Sequence, residues 1–497
     1  MPNDYTGLLS GSYWSGIEVT GKPTIVTYSF PTTAPGYNAL ITDPGLTPAA
    51  LASFTALNAA EQQLARDALA EWGAASGLVF IEVAPGQGDI NFQKLDFSGT
   101  GYDGAGGIAY HAFGDWNFDS TPNFTSDLDA AGDVFMNSDI PLTYGTLLHE
   151  IGHALGLKHP TEVWTDFATN PPTVHNVWDT DDPALTIMSQ LPGGTGHLTA
   201  IDIQAIQAIY GTNAQDGTQV AAWVWNATTQ TLTQTGYATD DAIRGSSVSD
   251  VINAMDGNDR LYGLNGNDTL NGGNGNDTLD GGPGNDKLTG GAGDDVYFVT
   301  GSGDKITESL NGGSDSVYAT TSFTLAANLE TLYFLGATKV NGTGNALGNF
   351  LYGNAGVAIL KGLGGDDYIV GGSAKDQLTG GTGADYLFGG ASGDQFIFAT
   401  MADFAPATAP DAIGDFSHAQ GDKISLKPID PDALTTGDQA FSFVGSAAFT
   451  TDARFQLRYD VTGTTATVQI DWNHDTIADA TLVLYNVTAL VAGDFIL

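Results

Sequence analysis

Three imidazoles and one carboxylate fall within a single short stretch of this 497-residue chain, His149-Glu150-Ile151-Gly152-His153-Ala154-Leu155-Gly156-Leu157-Lys158-His159. Residues four apart on a helix share a face, so His149 and His153 can each turn a ring nitrogen toward one zinc ion at about 2.0–2.1 Å. Gly156 can take a positive φ without steric cost, ending the helix so that the chain brings His159 back as a third ligand. Glu150 stands beside a ligand without being one. It is positioned to take a proton from a metal-activated water and deliver it to a leaving amine. The chemistry expected is peptide-bond hydrolysis at one catalytic Zn2+. A buried amphipathic helix with incidental histidines would have no need of this order of residue types, and three of the eight histidines lie here.

Such a cluster needs a scaffold, and the flanking sequence reads as α/β. From Asn58 to Ser76 the apolar positions Leu64, Ala68, Leu69 and Trp72 recur at helical spacing, with Gly77 placed to stop the helix. Short β-type runs follow at 78–83, 89–92, 107–112 and 133–136, before a helix over about 143–155 that carries the histidines. A last amphipathic helix over 198–210 stops at Gly211, where the catalytic domain is expected to end.

Composition narrows the class. The chain is long enough for about three domains, and 42% hydrophobic residues suffice for a core in each. With no cysteine, neither disulfides nor thiolate metal sites are available, so stability must come from packing and metal ions. A formal net charge of −42 repels nucleic acid and anionic membrane and attracts divalent cations. The opening Met1-Pro2-Asn3-Asp4-Tyr5 lacks a basic n-region and an apolar h-region, and no uninterrupted apolar run of membrane-spanning length follows. A conventional signal peptide and a membrane anchor are therefore not expected.

Beyond residue 244 a period of nine dominates. Gly272-Gly273-Asn274-Gly275-Asn276-Asp277-Thr278-Leu279-Asp280 is followed in phase by Gly281-Gly282-Pro283-Gly284-Asn285-Asp286-Lys287-Leu288-Thr289. The sixth-position aspartates are Asp259, Asp268, Asp277, Asp286 and Asp295, and after an interruption Asp367, Asp376, Asp385 and Asp394. Glycines allow tight turns that expose carbonyls, each aspartate offers a hard anionic oxygen suited to Ca2+, and the eighth-position leucines point inward. One turn has too little apolar surface to stand alone, so neighbouring turns and several structural Ca2+ ions must supply the missing stability. A flexible linker would have no reason to hold this period. Residues 299–361 fit it poorly, with Asn349 and Ala358 where aspartates would stand. From about 399 onward glycine thins out and strand-like alternation returns, as in 455–459 and 466–470.

These motifs resemble known families. The zinc-binding stretch, with Met188 in Thr186-Ile187-Met188-Ser189 as a Met-turn, resembles the metzincins at every defined position. Both arrays resemble RTX calcium-binding β-rolls. The whole pattern, including the ending Asp494-Phe495-Ile496-Leu497, is similar to serralysin-type metalloproteases, which bacteria export by type I secretion. Asp202 to Gly211 looks like that family's final catalytic-domain helix, and Asp422-Lys423-Ile424-Ser425-Leu426 like its C-terminal domain. The resemblance implies that Met188 floors the site, that the last four residues belong to a secretion signal, and that the repeats fold on meeting external calcium. It departs at Gln190, where serralysins carry a tyrosine able to approach zinc. Gly107 to Phe113 resembles the upper edge strand of matrixins, along which substrate adds, with His111 read as an ordinary hydrogen-bonded residue. His175, His197, His418 and His474 lack ligand spacing and read as surface residues.

The expected fold class is α+β. An extension or short propeptide covers 1–15, an α/β metzincin domain 16–211 and a connecting segment 212–244. All-β parallel β-roll arrays span 245–398, interrupted at 299–343, and a β-rich cap with the secretion signal spans 399–497. The expected function is a secreted, monomeric, calcium-stabilised zinc endopeptidase acting on protein or peptide substrates and engaging type I secretion machinery. The rivals are a calcium-structured surface or adhesion protein with a weak or vestigial peptidase domain and, more remotely, an RTX-bearing lipase, for which no Gly-x-Ser-x-Gly elbow is present.

Overall fold

The computed structural model describes residues 24–34, 48–98, 105, 107–109, 133–157, 159, 165–166, 173–174, 186–189, 196–211, 220–405, 408–429, 440–451 and 455–497. The chain divides into two compact units, one comprising 1–237, 243–252 and 263–266, the other 238–242, 253–262 and 267–497.

The first unit is built on a five-stranded sheet. Its order is Leu78–Glu82, Thr24–Ser29, Ile90–Leu95, Val134–Asn137 and Gly107–Ala109. All neighbours are parallel except the edge strand Gly107–Ala109, which runs antiparallel to Val134–Asn137. Helices Ala59–Ala75, Tyr144–Ala154 and Ala200–Tyr210 cover it. The Ala59–Ala75 helix starts at a reciprocal cap: Asn58 Oδ1 accepts the Ala60 and Glu61 N–H groups, and Glu61 accepts the Asn58 N–H at 2.7 Å. It stops at Ser76, in extended conformation, whose hydroxyl donates to the Trp72 carbonyl at 2.8 Å. The expected glycine stop at Gly77 is thus replaced by a serine cap one residue earlier.

The first unit continues past residue 211. Strands Ala222–Asn226 and Thr231–Thr235 form an antiparallel hairpin, and Leu232 and Val248 bury with Ile25, Ile81 and Val83 of the sheet. Among the described residues no helix is long and apolar enough to cross a membrane.

In the second unit the nine-residue period becomes a parallel β-roll. Leu270 aligns with Leu288 and Leu279 with Tyr297, so two repeats make one coil and successive coils stack in register eighteen residues apart. The inward Leu261, Leu270, Leu279, Leu288 and Leu378 are buried. Coiling persists through the interruption, where strands Ser316–Ala319, Thr331–Phe334 and Phe350–Tyr352 continue the parallel stack. There a ladder of stacked rings joins the coils: Phe298, Tyr318, Tyr333 and Tyr352 follow one another at centroid spacings of 5.4, 4.9 and 4.7 Å. Beyond the second array, antiparallel strands Gln456–Thr462, Thr465–Asp471 and Ala480–Tyr485 close one sheet, and the terminal strand Phe495–Ile496 pairs with Lys423–Ser425 on the other.

Candidate active site and metal-binding residues

The Tyr144–Ala154 helix is fixed by its apolar face. Leu147, Leu148, Ile151 and Ala154 bury in the core, and Trp72 donates its indole N–H to the Leu148 carbonyl at 3.1 Å. Thr143 caps the start by accepting the Thr146 N–H. At the other end Gly156 adopts φ 95°, the Leu157 N–H returns to the Gly152 carbonyl, and Tyr210 from the last helix donates to the Leu155 carbonyl at 3.0 Å. This turn brings His159 back toward the helix.

The three imidazoles converge. The His149 and His153 Nε2 atoms lie 3.2 and 3.1 Å from His159 Nε2. Two atoms each bound at about 2.0–2.1 Å to one tetrahedral ion would be about 3.3 Å apart, so the donor set fits zinc. The opposite ring nitrogens fix the tautomers: His149 Nδ1 donates to the Ile187 carbonyl at 2.7 Å and His153 Nδ1 to the Leu157 carbonyl at 2.8 Å. A carbonyl can only accept, so each Nε2 presents a lone pair inward.

Glu150, on the same helix, is 5% exposed, and burial pushes its carboxyl up to about 8. It faces the edge strand so closely that a Cβ on Gly107 would lie 2.9 Å from its Cγ. Met188 is buried, and its Sδ would stand 2.4 Å from a Cβ placed on Gly152. Gly152 is therefore the residue that lets the methionine pass beneath the helix. Neither glycine was singled out by spacing arguments, because each serves a neighbour distant in sequence.

Asp202 also escaped that reasoning as a site residue. Fully buried on the last helix, it accepts from Thr186 Oγ1, from the Ile187 N–H at 3.0 Å and from Thr199 N–H and Oγ1. The Met-turn is thereby tied to the Ala200–Tyr210 helix, and through the Ile187 carbonyl to His149. Its signals in the sequence are its place three residues after the cap Thr199 and at the head of the stretch that resembles a serralysin helix, and neither points to the Met188 turn. Gln190, His111 and His175 lie outside the described residues. His197 bonds Glu71 at 3.0 Å and His474 the Thr451 carbonyl at 2.6 Å, while His418, largely exposed, pairs with buried Asp494.

In the roll, Asp259, Asp268, Asp277, Asp286, Asp295, Asp367, Asp376, Asp385 and Asp394 are all buried. They form ladders in which one aspartate N–H donates to Oδ1 of the next on the same side: Asp259 to Asp277 at 2.8 Å, Asp277 to Asp295 at 2.7 Å, Asp268 to Asp286 at 2.8 Å, and Asp376 to Asp394 at 2.8 Å. In Asp259, Asp277, Asp286, Asp295, Asp367, Asp376 and Asp394 the second oxygen is buried without a hydrogen-bond partner. Burial pushes Asp277 and Asp286 up to about 6, Asp394 to about 7, and Asp295 and Asp367 to about 8. Orphaned carboxylate oxygens at this period suit Ca2+, which takes six to eight oxygen ligands. Asn349 instead places its amide NH2 on the Leu329 carbonyl at 3.1 Å, and Ala358 has no side-chain oxygen to offer.

Comparison with known proteins agrees with this division. Residues 51–184 match the matrixin family, and 235–270, 262–297, 271–304, 343–377 and 361–396 match the RTX calcium-binding nonapeptide repeat. The chain is 30% identical to serralysin of Photorhabdus laumondii over 195 residues, 36% of this chain and 38% of that one. It is 28% identical to serralysin C of Dickeya chrysanthemi over 240 residues, 44% and 45% of the two chains. Interstitial collagenase of Equus caballus is 32% identical over 150 residues, 28% of this chain and 26% of the collagenase. The chain thus spans less than half the length of these relatives.

Proposed function

We propose that this chain, a serralysin-type metzincin carrying RTX calcium-binding repeats, is a secreted zinc endopeptidase that cleaves protein or peptide substrates and is stabilised by calcium. The observation that carries the reading is the convergence of three imidazole Nε2 atoms beside one buried carboxylate, Glu150. When bound by His149, His153 and His159, zinc would supply Lewis-acid polarisation of the scissile carbonyl and acidify water. Glu150 takes the proton of the attacking water and returns it to the amide nitrogen as the C–N bond breaks. Desolvation raises the basicity of that carboxylate, an effect a neighbouring dication opposes. Among the described residues the strand Gly107–Ala109 has one side unpaired in its sheet, which suits an extended peptide added alongside the helix.

The roll supports the calcium part of the reading through its orphaned aspartate oxygens, and the likeness to serralysins supports export through type I secretion machinery. The second reading, a calcium-structured surface protein with a vestigial peptidase domain, draws on Gln190 in place of the family tyrosine.

Casein hydrolysis by the calcium-loaded full chain decides between them, measured with and without phenanthroline beside Glu150→Gln. Chelator-sensitive activity that falls about 10²–10⁴-fold in the variant, with zinc content unchanged, is the expected result. Equal activity in the variant would sink the mechanism, and no activity from a zinc-loaded wild type would favour the surface protein.

A further inference from the structure

The RTX match of the first array ends at residue 304, yet the carboxylate ladder does not. Asp295, the last repeat aspartate of that array, donates its N–H to Asp315 Oδ1 at 2.8 Å, and Asp315 donates in turn to Glu330 at 2.8 Å. Asp315 occupies the next rung at a spacing of twenty rather than eighteen, so the period conceals it. Glu308 turns back from the intervening loop with one carboxylate oxygen accepting the Ser309 N–H at 2.9 Å. The remaining oxygens, Asp295 Oδ2, Asp315 Oδ2 and Glu308 Oε1, are all buried and all without a hydrogen-bond partner.

One oxygen from each of these three residues lies within 4.8 Å of the others, and the residues are 1%, 0% and 8% exposed for Asp295, Asp315 and Glu308. Ca2+ binds oxygens at about 2.3–2.6 Å, so two ligands on opposite sides of one ion stand about 4.6–5.2 Å apart, and the triad lies within that reach. Burial holds all three carboxyls high, Asp295 at about 8, Glu308 at about 7 and Asp315 at about 6, and repulsion adds to it, from Asp277, Glu308 and Asp315 on Asp295, from Asp315 on Glu308, and from Glu330 and Asp294 on Asp315. Among the described residues, no lysine or arginine pairs with any of them. Small residues leave room for the ligands: a Cβ on Gly290 would meet Asp295 Oδ2 at 2.1 Å, and one on Gly312 would meet Glu308 Oε2 at 3.0 Å.

We propose that Asp295, Glu308 and Asp315 form a further Ca2+ site, in which Glu308 and Asp315, both outside the repeat, tie the end of the first array to the aromatic coil that follows. An all-oxygen, all-anionic donor set selects a hard divalent cation over zinc. The site extends the calcium part of the proposed function and is independent of the peptidase chemistry, so the two can fail separately.

Glu308→Gln and Asp315→Asn in the full chain test it, by counting bound calcium in dialysed protein and by thermal unfolding in EGTA and in millimolar calcium. Removing one of three crowded charges relieves repulsion when calcium is absent and removes a ligand when it is present. Each variant should therefore lose one calcium ion, unfold at the wild-type temperature or higher in EGTA, and unfold at a lower temperature in calcium. Zinc content should be unchanged. A residue that merely braced the loop would lose stability equally in both conditions, and that result, or an unchanged calcium count, would overturn the site. Should one variant fail to accumulate, the crossing of the two conditions in the other decides the matter.

Discussion

The zinc-type site and the β-roll both hold buried carboxylates, and they treat them in opposite ways. Asp202, which supports the histidine cluster, has both oxygens occupied by Thr186, Ile187 and Thr199 donors. Asp277, in the roll, has Oδ1 on the Asp259 N–H and Oδ2 on nothing. The first arrangement is complete before any ion arrives, because protein donors orient each ligand and an apolar core of helix and sheet holds those donors. The second leaves a row of desolvated oxygens that only protons or cations can neutralise. A metal site embedded in a hydrophobic core can be preorganised, whereas a coil with one inward leucine per nine residues needs the metal as part of its cohesion.

Calcium removal should separate the two most sharply. In EGTA at neutral pH the region 245–398 is expected to unfold, followed by circular dichroism, at a far lower temperature than in calcium and to become more open to proteolysis, while fragments spanning the Tyr144–Ala154 helix stay protected. A roll as resistant to heat and protease in EGTA as in calcium would break the comparison. Next in size, Gly152→Ala strikes the preorganised site through packing alone, since its Cβ would overlap Met188 Sδ at 2.4 Å. Overpacking of this kind costs about 1–3 kcal/mol. The expected outcome is a lower melting temperature of the first unit with calcium binding unaltered, read by calorimetry and calcium titration. A neutral result would mean that Met188 moves freely and does not floor the site.

What was legible in the sequence follows the same line. The histidine spacing, the turn at Gly156 and the nine-residue period are local and repetitive, so residue order alone brings out the imidazole cluster and the roll. The interior strand Thr24–Ser29 is absent from the sequence reading: buried along its whole length, it shows no alternation to mark it. The hairpin at 222–235, read as part of a connecting segment, is held by contacts distant in sequence: Leu232, with Trp223 and Trp225, packs in the cluster of Ile25 and Ile81, and Gln230 accepts the Ala84 N–H. Gly107, Gly152 and Asp202 act on partners brought near by folding, and Glu308 lies where the period lapses. Local pattern carries the ligands, and tertiary contact carries what positions them.

Asp202→Asn probes that positioning layer with a smaller effect. An asparagine keeps one acceptor oxygen and turns an NH2 toward groups that are themselves donors, so the Ile187 backbone and with it the His149 partner should loosen. Loss of such a supporting partner lowers metal affinity about 10–100-fold. Competition for zinc with a chromophoric chelator measures this directly. Zinc affinity equal to wild type, with only the melting temperature lowered, would make Asp202 a simple structural residue.

The smallest effect, and the one that bears most directly on why the roll needs an ion, is its pH dependence. In the calcium-free roll, Asp277, Asp286, Asp376 and Asp385 are pushed up to about 6, Asp394 to about 7, and Asp295 and Asp367 to about 8. An unfolded aspartate titrates near 3.9, so between roughly pH 4 and 8 the folded roll holds protons that the unfolded chain has released. Their contribution to stability is complete below the unfolded value and is lost as pH rises through the folded ones, so the calcium-free roll should gain structure on acidification toward pH 5. Calcium reverses the slope, because its ligands must be deprotonated and protons compete with it. Urea midpoints at pH 5 and pH 8, with EGTA and with saturating calcium, should therefore move in opposite directions. Protons neutralise each rung without bridging to the next, so the acid gain should stay below the calcium gain. Parallel slopes in the two conditions would mean that the orphaned oxygens are not the calcium ligands, and the contrast between the two regions would lose its physical basis.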